Sequence, residues 1–491
     1  MLSVRLKRRG ASLQIRWLAR CAGGLIAAIL VLLPQPVWAA AALDGAAMGW
    51  PYALPFAGLL LSIALGPLLA PKFWHHHYGK IAAVWSLLAL GALVWLAGGM
   101  AMLAALVQAL LAEYLGFIVL LFALYVVAGG ILVSGDIRGT PWANTGIMAL
   151  GTLMASVVGT TGAAMILIRP LIRANRSRRH NAHVVVFFII LVANVGGALS
   201  PLGDPPLFVG FLHGVDFFWT TRNIWLQTAI VAGLLLAIFS VVDAWRFRSE
   251  PRSGAAGPGE PIRIRGLVNL ALIAAIVASL LGSAMWKPGI AFDVFGTRME
   301  LESLVRNVVL LVIAALSVWL TPDEHREANG FTWEPIREVA KLFAGIFVAI
   351  IPVIAMLDAG HHGAFAWLLS AVTAPDGTPR EAAYFWFTGL MSAFLDNAPT
   401  YLLFFELAGG DPQVLMGPLA GTLASISMGA VYMGALTYIG NAPNFMVSSI
   451  ANENGIEMPS FFGYLLRAGA VLIPLFLLLT LLPVAPILHW H

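Results

Sequence analysis

The sequence predicts an all-α polytopic membrane protein built as an inverted-topology repeat, each half holding about five transmembrane helices and one re-entrant hairpin. Three observations predict it. Apolar residues fall into blocks of roughly 17–25 positions almost free of Asp, Glu, Lys and Arg, the length that spans a bilayer core. Basic residues gather in one alternating set of the short loops between those blocks. Four blocks are broken at their middles by Gly, Pro and polar residues, with matched spacing in the two halves.

Composition sets the class. Hydrophobic residues make up 60% of the 491 and charged residues only 11%, against about a quarter charged in an ordinary soluble chain. Mean hydropathy is +0.87 and the pI is near 9.3. The basic residues lie in loops, so they point to topology control and not to nucleic acid.

The N-terminus reads as a signal peptide over 1–42, the alternative being an uncleaved first helix. Arg5, Lys7, Arg8, Arg9, Arg16 and Arg20 precede an apolar stretch, Leu25 to Leu33, and a small-residue run, Ala39 to Ala42, the pattern of a secretory signal. Cys21, the only cysteine, lies inside it, so a processed chain has no thiol for a disulfide or a metal.

The first repeat is placed at 43–245, with spans near Trp50–Ala70, Ile81–Leu96, Tyr114–Val133, Val184–Gly210 and Ile224–Trp245, and a hairpin at 141–173. A Pro/Gly/Arg-rich linker follows at 246–265. The second repeat, 266–491, has spans near Leu267–Met285, Val305–Leu320, Glu338–Leu357, Leu415–Ile450 and Phe461–Leu482, and a hairpin at 382–409. One loop set holds Lys72, Lys80, Arg138, Arg173, Arg176, Arg178, Arg179, Arg246, Arg248, Arg252, Arg263, Arg265 and Arg326; the other holds Arg222, Lys287, Arg298 and Arg380. That asymmetry fits the positive-inside rule only if each 30-residue hairpin segment enters and leaves on one side. The hairpins therefore dip from opposite faces.

The breaks carry the chemistry. The first hairpin turns at Gly159-Thr160-Thr161-Gly162, reached through Ser156, and the next span is interrupted over Asn194–Pro206, which holds Ser200, Gly203 and Asp204. The second hairpin turns at Asp396-Asn397-Ala398-Pro399-Thr400, and the later span breaks over Thr437–Asn444, with Gly440 and Asn441. Thr160 precedes Asp204, and Asn397 precedes Asn441, by the same 44 positions. Pro and Gly free backbone groups that cost several kcal/mol each in hydrocarbon unless they line a polar site. The four breaks are thus expected to meet near the midplane, where helix N-termini attract an anion and oxygen ligands suit Na+. A carboxylate at that depth costs ~2.5–3.5 kcal/mol, which marks Asp204 and Asp396 as ion-linked candidates; one desolvated carboxylate can trade H+ for Na+. Other features read as structural: His75-His76-His77 as a loop tract, Asp358, His361 and His362 as interfacial, Asp243 as a water-facing cap, and the sixteen Trp as belt or packing residues.

At these breaks the chain resembles the ion transporter superfamily, nearest to its branch of sodium:proton antiporters and citrate carriers. The matching stretches are ALGTLMASVVGTTGAAMILIRPL (149–171), NVGGALSPLGDPPLFVGFL (194–212), SAFLDNAPTYLLF (392–404) and ALTYIGNAPNFMV (435–447). The resemblance implies scaffold helices forming a homodimer, and a domain carrying both hairpins that moves like an elevator. It also implies Na+ sites, one between the first tip and the 194–203 break and one between the second tip and the 440–444 break, drawing on Thr160, Asn194, Asp204, Asp396, Asn397 and Asn441. The Ser-Asn-Thr tips of carboxylate carriers are replaced here by Gly-Thr-Thr-Gly and Asp-Asn-Ala-Pro-Thr.

Those tips favour a bacterial inner-membrane Na+/H+ antiporter, with Na+ or H+ as coupling ions and no prosthetic group. The alternative is Na+- or H+-coupled transport of citrate, a dicarboxylate or an oxyanion such as arsenite. An aspartyl intramembrane protease is disfavoured because no Gly-x-Gly-Asp surrounds either Asp, and a channel is distinguished by non-saturable flux.

Overall fold

The structure, a computed structural model, describes residues 43–135, 137–250 and 261–481. The expected signal segment with Cys21 and the centre of the linker lie outside the described residues.

The first half runs α1 (Leu54–Leu69), α2 (Pro71–Val107), α3 (Leu115–Ala128), α4 (Pro141–Val158), α5 (Thr160–Ala174), α6 (Ala182–Leu191), α7 (Pro205–Leu212) and α8 (Trp219–Phe247). The second runs α9 (Val268–Met285), α10 (Leu301–Leu320), α11 (Glu334–Ala349), α12 (Ile351–Asp358), α13 (Glu381–Phe394), α14 (Asn397–Leu407), α15 (Ala420–Met433), α16 (Ala442–Glu453) and α17 (Phe461–Leu481). Among the described residues, seven helical stretches are long and apolar enough to cross a membrane. The chain is a multi-pass membrane protein.

Helix boundaries follow local chemistry. Thr140 caps α4 by accepting from the Ala143 N–H at 3.3 Å, with Pro141 in the first turn where its missing donor costs nothing. The helix stops at Gly159, whose φ of +82° is left-handed and cheap only for glycine. Chain direction reverses there, and α4 packs back on α5. Asp396 starts α14 in the same manner, accepting from the Ala398 N–H at 3.2 Å.

Several expectations need correcting. The gap between Leu96 and Tyr114 is not a loop: helix continues through it, bent at Gly98 (φ +84°) and widened to a π-turn at Gln108–Tyr114. The three histidines stand on α2, where His76 and His77 bond the carbonyls of Lys72 and Phe73 at 2.8 and 3.0 Å. Beyond helix, two short ribbons occur among the described residues. β1 (Leu132–Ser134) pairs antiparallel with β2 (Arg263–Arg265), so the end of the linker is structured, and β3 (Ala291–Val294) pairs with β4 (Thr297–Glu300). Alternation over stretches this short is too brief to register as a strand pattern.

Asp243 is not a water-facing cap. Fully buried near the end of α8, its carboxylate pairs with Arg178 at 2.6 Å, with His183 at 2.8 Å and with the Asn144 amide at 2.9 Å. The cluster ties the start of α4 and the α5–α6 connection to α8. Its residues come from distant segments, which no local pattern reports.

Helices α1, α2, α3, α9, α10 and α11 pack among themselves, and α13, α14 and α15 form another close set, with α7 along α14 and α16 along α5. Close approach of α13 and α15 needs Gly429, where any Cβ would meet the Phe385 carbonyl oxygen at 2.6 Å.

Candidate functional site

Four helices begin at one place. α5 starts after Gly159, α7 after Asp204, α14 after Asp396 and α16 after Asn441. Each helix start is the positive end of a helix dipole, roughly half a positive charge. Pro205 and Pro206 give α7 no N–H in its first two positions, and the Leu207, Thr160 and Asn444 N–H groups bond the Asp204, Gly203 and Asn441 carbonyls. All four ends border one cavity of about 100 Å³, lined by Gly159, Thr160, Thr161, Gly203, Asp204, Asp396 and Asn441 on one side. Its far wall comes from α3 (Leu120, Leu124, Tyr125) and α11 (Pro335, Ile336, Val339, Phe343). The far wall is apolar. Nothing in those segments separates a cavity wall from an ordinary span, so sequence reasoning missed it.

Asp204 is the hub. It is 1% exposed and receives three neutral donors: Thr160 Oγ1 at 3.0 Å, Asn441 Nδ2 at 2.9 Å and Asn397 Nδ2 at 2.6 Å. Three of the four broken segments thereby converge on one carboxylate. Asn194 and Asn444 interlock beside it, Asn194 Nδ2 donating to Asn444 Oδ1 at 2.7 Å, while Asn441 also donates to Asn194 Oδ1 at 3.3 Å. Asn444 further donates to the freed carbonyls of Gly434 and Thr437 at 2.8 and 2.9 Å. These amides neutralise the backbone groups that the breaks expose. Within this network Asn397 Oδ1 is buried and has no hydrogen-bond partner among the described residues.

The other candidates stand behind the cavity as supports. Ser156 Oγ donates to the Gly196 carbonyl at 2.6 Å and accepts from the Leu199 N–H at 3.2 Å. Ser200 donates to the Ser156 carbonyl, and Thr437 donates to the Ala393 carbonyl, both across 44 positions. Thr400 donates back to the Asp396 carbonyl at 2.9 Å. A Cβ at Gly203 would overlap the Gly197 carbonyl, and one at Gly440 would lie 2.6 Å from the Gly434 carbonyl oxygen, so both positions exclude a side chain. Asp396 is half-buried and borders the cavity. Asp358, the last residue of α12, and His361 and His362 just after it are exposed and do not line the cavity.

A smaller, apolar cavity of about 10 Å³ lies between α7, α11 and α14, lined in part by Val209, Ile350, Ala398 and Leu402. Phe343 borders both cavities and stacks on Phe117, ring centroids 4.7 Å apart.

Residues 45–484 match the protein family described as "Putative citrate transport". Two proteins named as uncharacterized transporters, from Mycobacterium bovis and Mycobacterium tuberculosis, are each 25% identical to the chain over 361 residues, covering 68% of it and 74% of their own length.

Proposed function

The chain belongs to this citrate-transport family, and on that footing we propose a secondary transporter that carries citrate or a related carboxylate with Na+ or H+. It is a transport protein and not an enzyme. The observation that carries the reading is the convergence of four helix N-termini and two carboxylates on one cavity.

Four N-terminal half-charges, about +0.5 each, nearly offset an ionised Asp204 and Asp396. A carboxylate solute then has little net attraction to the pocket. Adding a proton to one Asp, or Na+ beside it, leaves the N-termini in excess and favours the anion. Coupling follows from charge balance. Asn397 Oδ1, the buried oxygen without a partner, suits such a cation, and Asp204 alongside supplies the charge.

The inverted repeat, the re-entrant entry of the α4–α5 and α13–α14 pairs, elevator motion, a homodimer and a bacterial inner-membrane location belong to the same proposal. Support for the repeat comes from bonds that recur in both halves at one separation: Ser200 to Ser156 and Thr437 to Ala393. Exchange of Na+ for H+, the reading the tip sequences favour, ranks second. Asp204 keeps it open because a lone buried carboxylate serves a cation equally well; the family match points instead to a carboxylate.

Reconstitution in proteoliposomes tests this. Labelled citrate should accumulate under an inward Na+ or H+ gradient and stop when the gradient is collapsed. Na+-driven proton movement without citrate uptake would replace the proposal by antiport.

A further inference from the structure

Arg169 interrupts the otherwise apolar run Met165–Ile172 of α5 and is half-buried, so its charge is partly desolvated and calls for an acceptor or counter-charge. It stands seven residues after Gly162, which lines the main cavity. Two helical turns return to the same face, about 10 Å along the axis. Arg169 therefore projects from the cavity-lining face of α5, beyond the cavity's end.

Its surroundings mark a mouth. A Cβ added at Gly330 (φ +60°) would overlap the Arg169 guanidinium, so that group lies against the loop leading into α11, whose first residues Pro335 and Ile336 form cavity wall. Tyr125, another lining residue, is an electrostatic neighbour, as is Glu453 at the end of α16. Glu453 is exposed, and among the described residues no carboxylate reaches ion-pair distance of Arg169. The side chain is half-buried, and among the described residues no acceptor holds any of its five donors. A guanidinium in this state is built to take carboxylate oxygens two at a time.

We infer that Arg169 is the specificity-determining residue at the cavity mouth, engaging a carboxylate of the incoming anion before it reaches the four helix N-termini. The inference rests on the carboxylate-transport reading and adds where the charge of the solute is first recognised. Glu453, the nearby acid, opposes that engagement.

The test is citrate kinetics in proteoliposomes for the wild type, R169Q, R169K and E453Q, with melting temperatures in detergent. R169Q should raise KM for citrate about tenfold at unchanged kcat, as expected when an interaction equal in ground and transition states is lost. R169K should recover part of that loss, since it keeps the charge and lacks the fork. E453Q should shift KM the other way. Added salt should raise the wild-type KM more than that of R169Q. A purely structural role would instead lower Tm and kcat together in R169Q and leave KM unchanged in E453Q, which overturns the inference. Citrate uptake by the wild type with identical KM in R169Q overturns it alone; no citrate uptake by the wild type overturns the transport reading as well.

Discussion

Asn441 donates to Asp204 at 2.9 Å, and the two residues stand 237 positions apart. The same displacement relates Thr160 to Asn397 and Ser200 to Thr437 in the sequence, and each pair occupies a corresponding place in its half of the site. Counterparts of the two halves thus touch at the centre, one a carboxylate and the other an amide.

D204N should retain the fold and lose gradient-driven uptake. The amide keeps the shape but cannot carry charge, and its NH2 would face either the Asn397 donor at one oxygen position or the Thr160 and Asn441 donors at the other. Losing charge-assisted hydrogen bonds costs ~1.5–3 kcal/mol, so uptake should fall by about tenfold to a hundredfold. Gradient-driven uptake at the wild-type rate would remove Asp204 from the coupling step.

Asp396 has two separable jobs. As a cap it accepts one backbone N–H, worth ~0.5–2 kcal/mol, and Asn or Ser can replace it there. D396N and D396S should therefore melt close to the wild type while losing cation dependence of uptake; D396A should lose both. Wild-type coupling in D396N would leave only the cap.

Phe343 should behave as the divider between the two cavities it borders. F343A should join them, at a stability cost of ~3–5 kcal/mol if the space stays empty, and let citrate run downhill without its cation. F343L, which keeps bulk, should stay coupled. Tight coupling in F343A would place the barrier elsewhere.

Removing Asp243 tests stability apart from transport. Breaking a buried pair by deleting one partner costs ~3–5 kcal/mol, because Arg178 would remain buried without its anion. D243N should lower the melting temperature by several degrees, with KM for citrate unchanged in whatever protein stays folded. A shifted KM at full stability would instead connect this cluster to the cavity.

Much of the site was legible because hydrocarbon makes interruption expensive. Gly159, the 194–206 run, Asp396–Thr400 and Thr437–Asn444 announce themselves as polar, Gly- or Pro-bearing gaps in apolar blocks, and the helices break there. What stayed hidden depends on distant pairing. A helix such as α3 is apolar all round, so no stripe reveals which side faces a cavity and which faces a neighbour. The bond between Asn194 and Asn444 joins residues 250 positions apart, and Asp243 finds Arg178 across 65. Arg169 did leave a signal, a cation inside the apolar stretch of its helix four residues before the terminal Arg173, which hairpin topology alone does not use.

The ribbon of β1 with β2 fastens the far end of the linker to the first half, through Leu132 with Arg265 and Ser134 with Arg263. The near end is also pinned, since Glu250 accepts the N–H groups of Arg179 and His180 at 2.8 and 2.9 Å. Residues 251–260 therefore join two anchored points. A protein severed there should reassemble from two separately translated fragments, with the strand pair acting as the clasp between them.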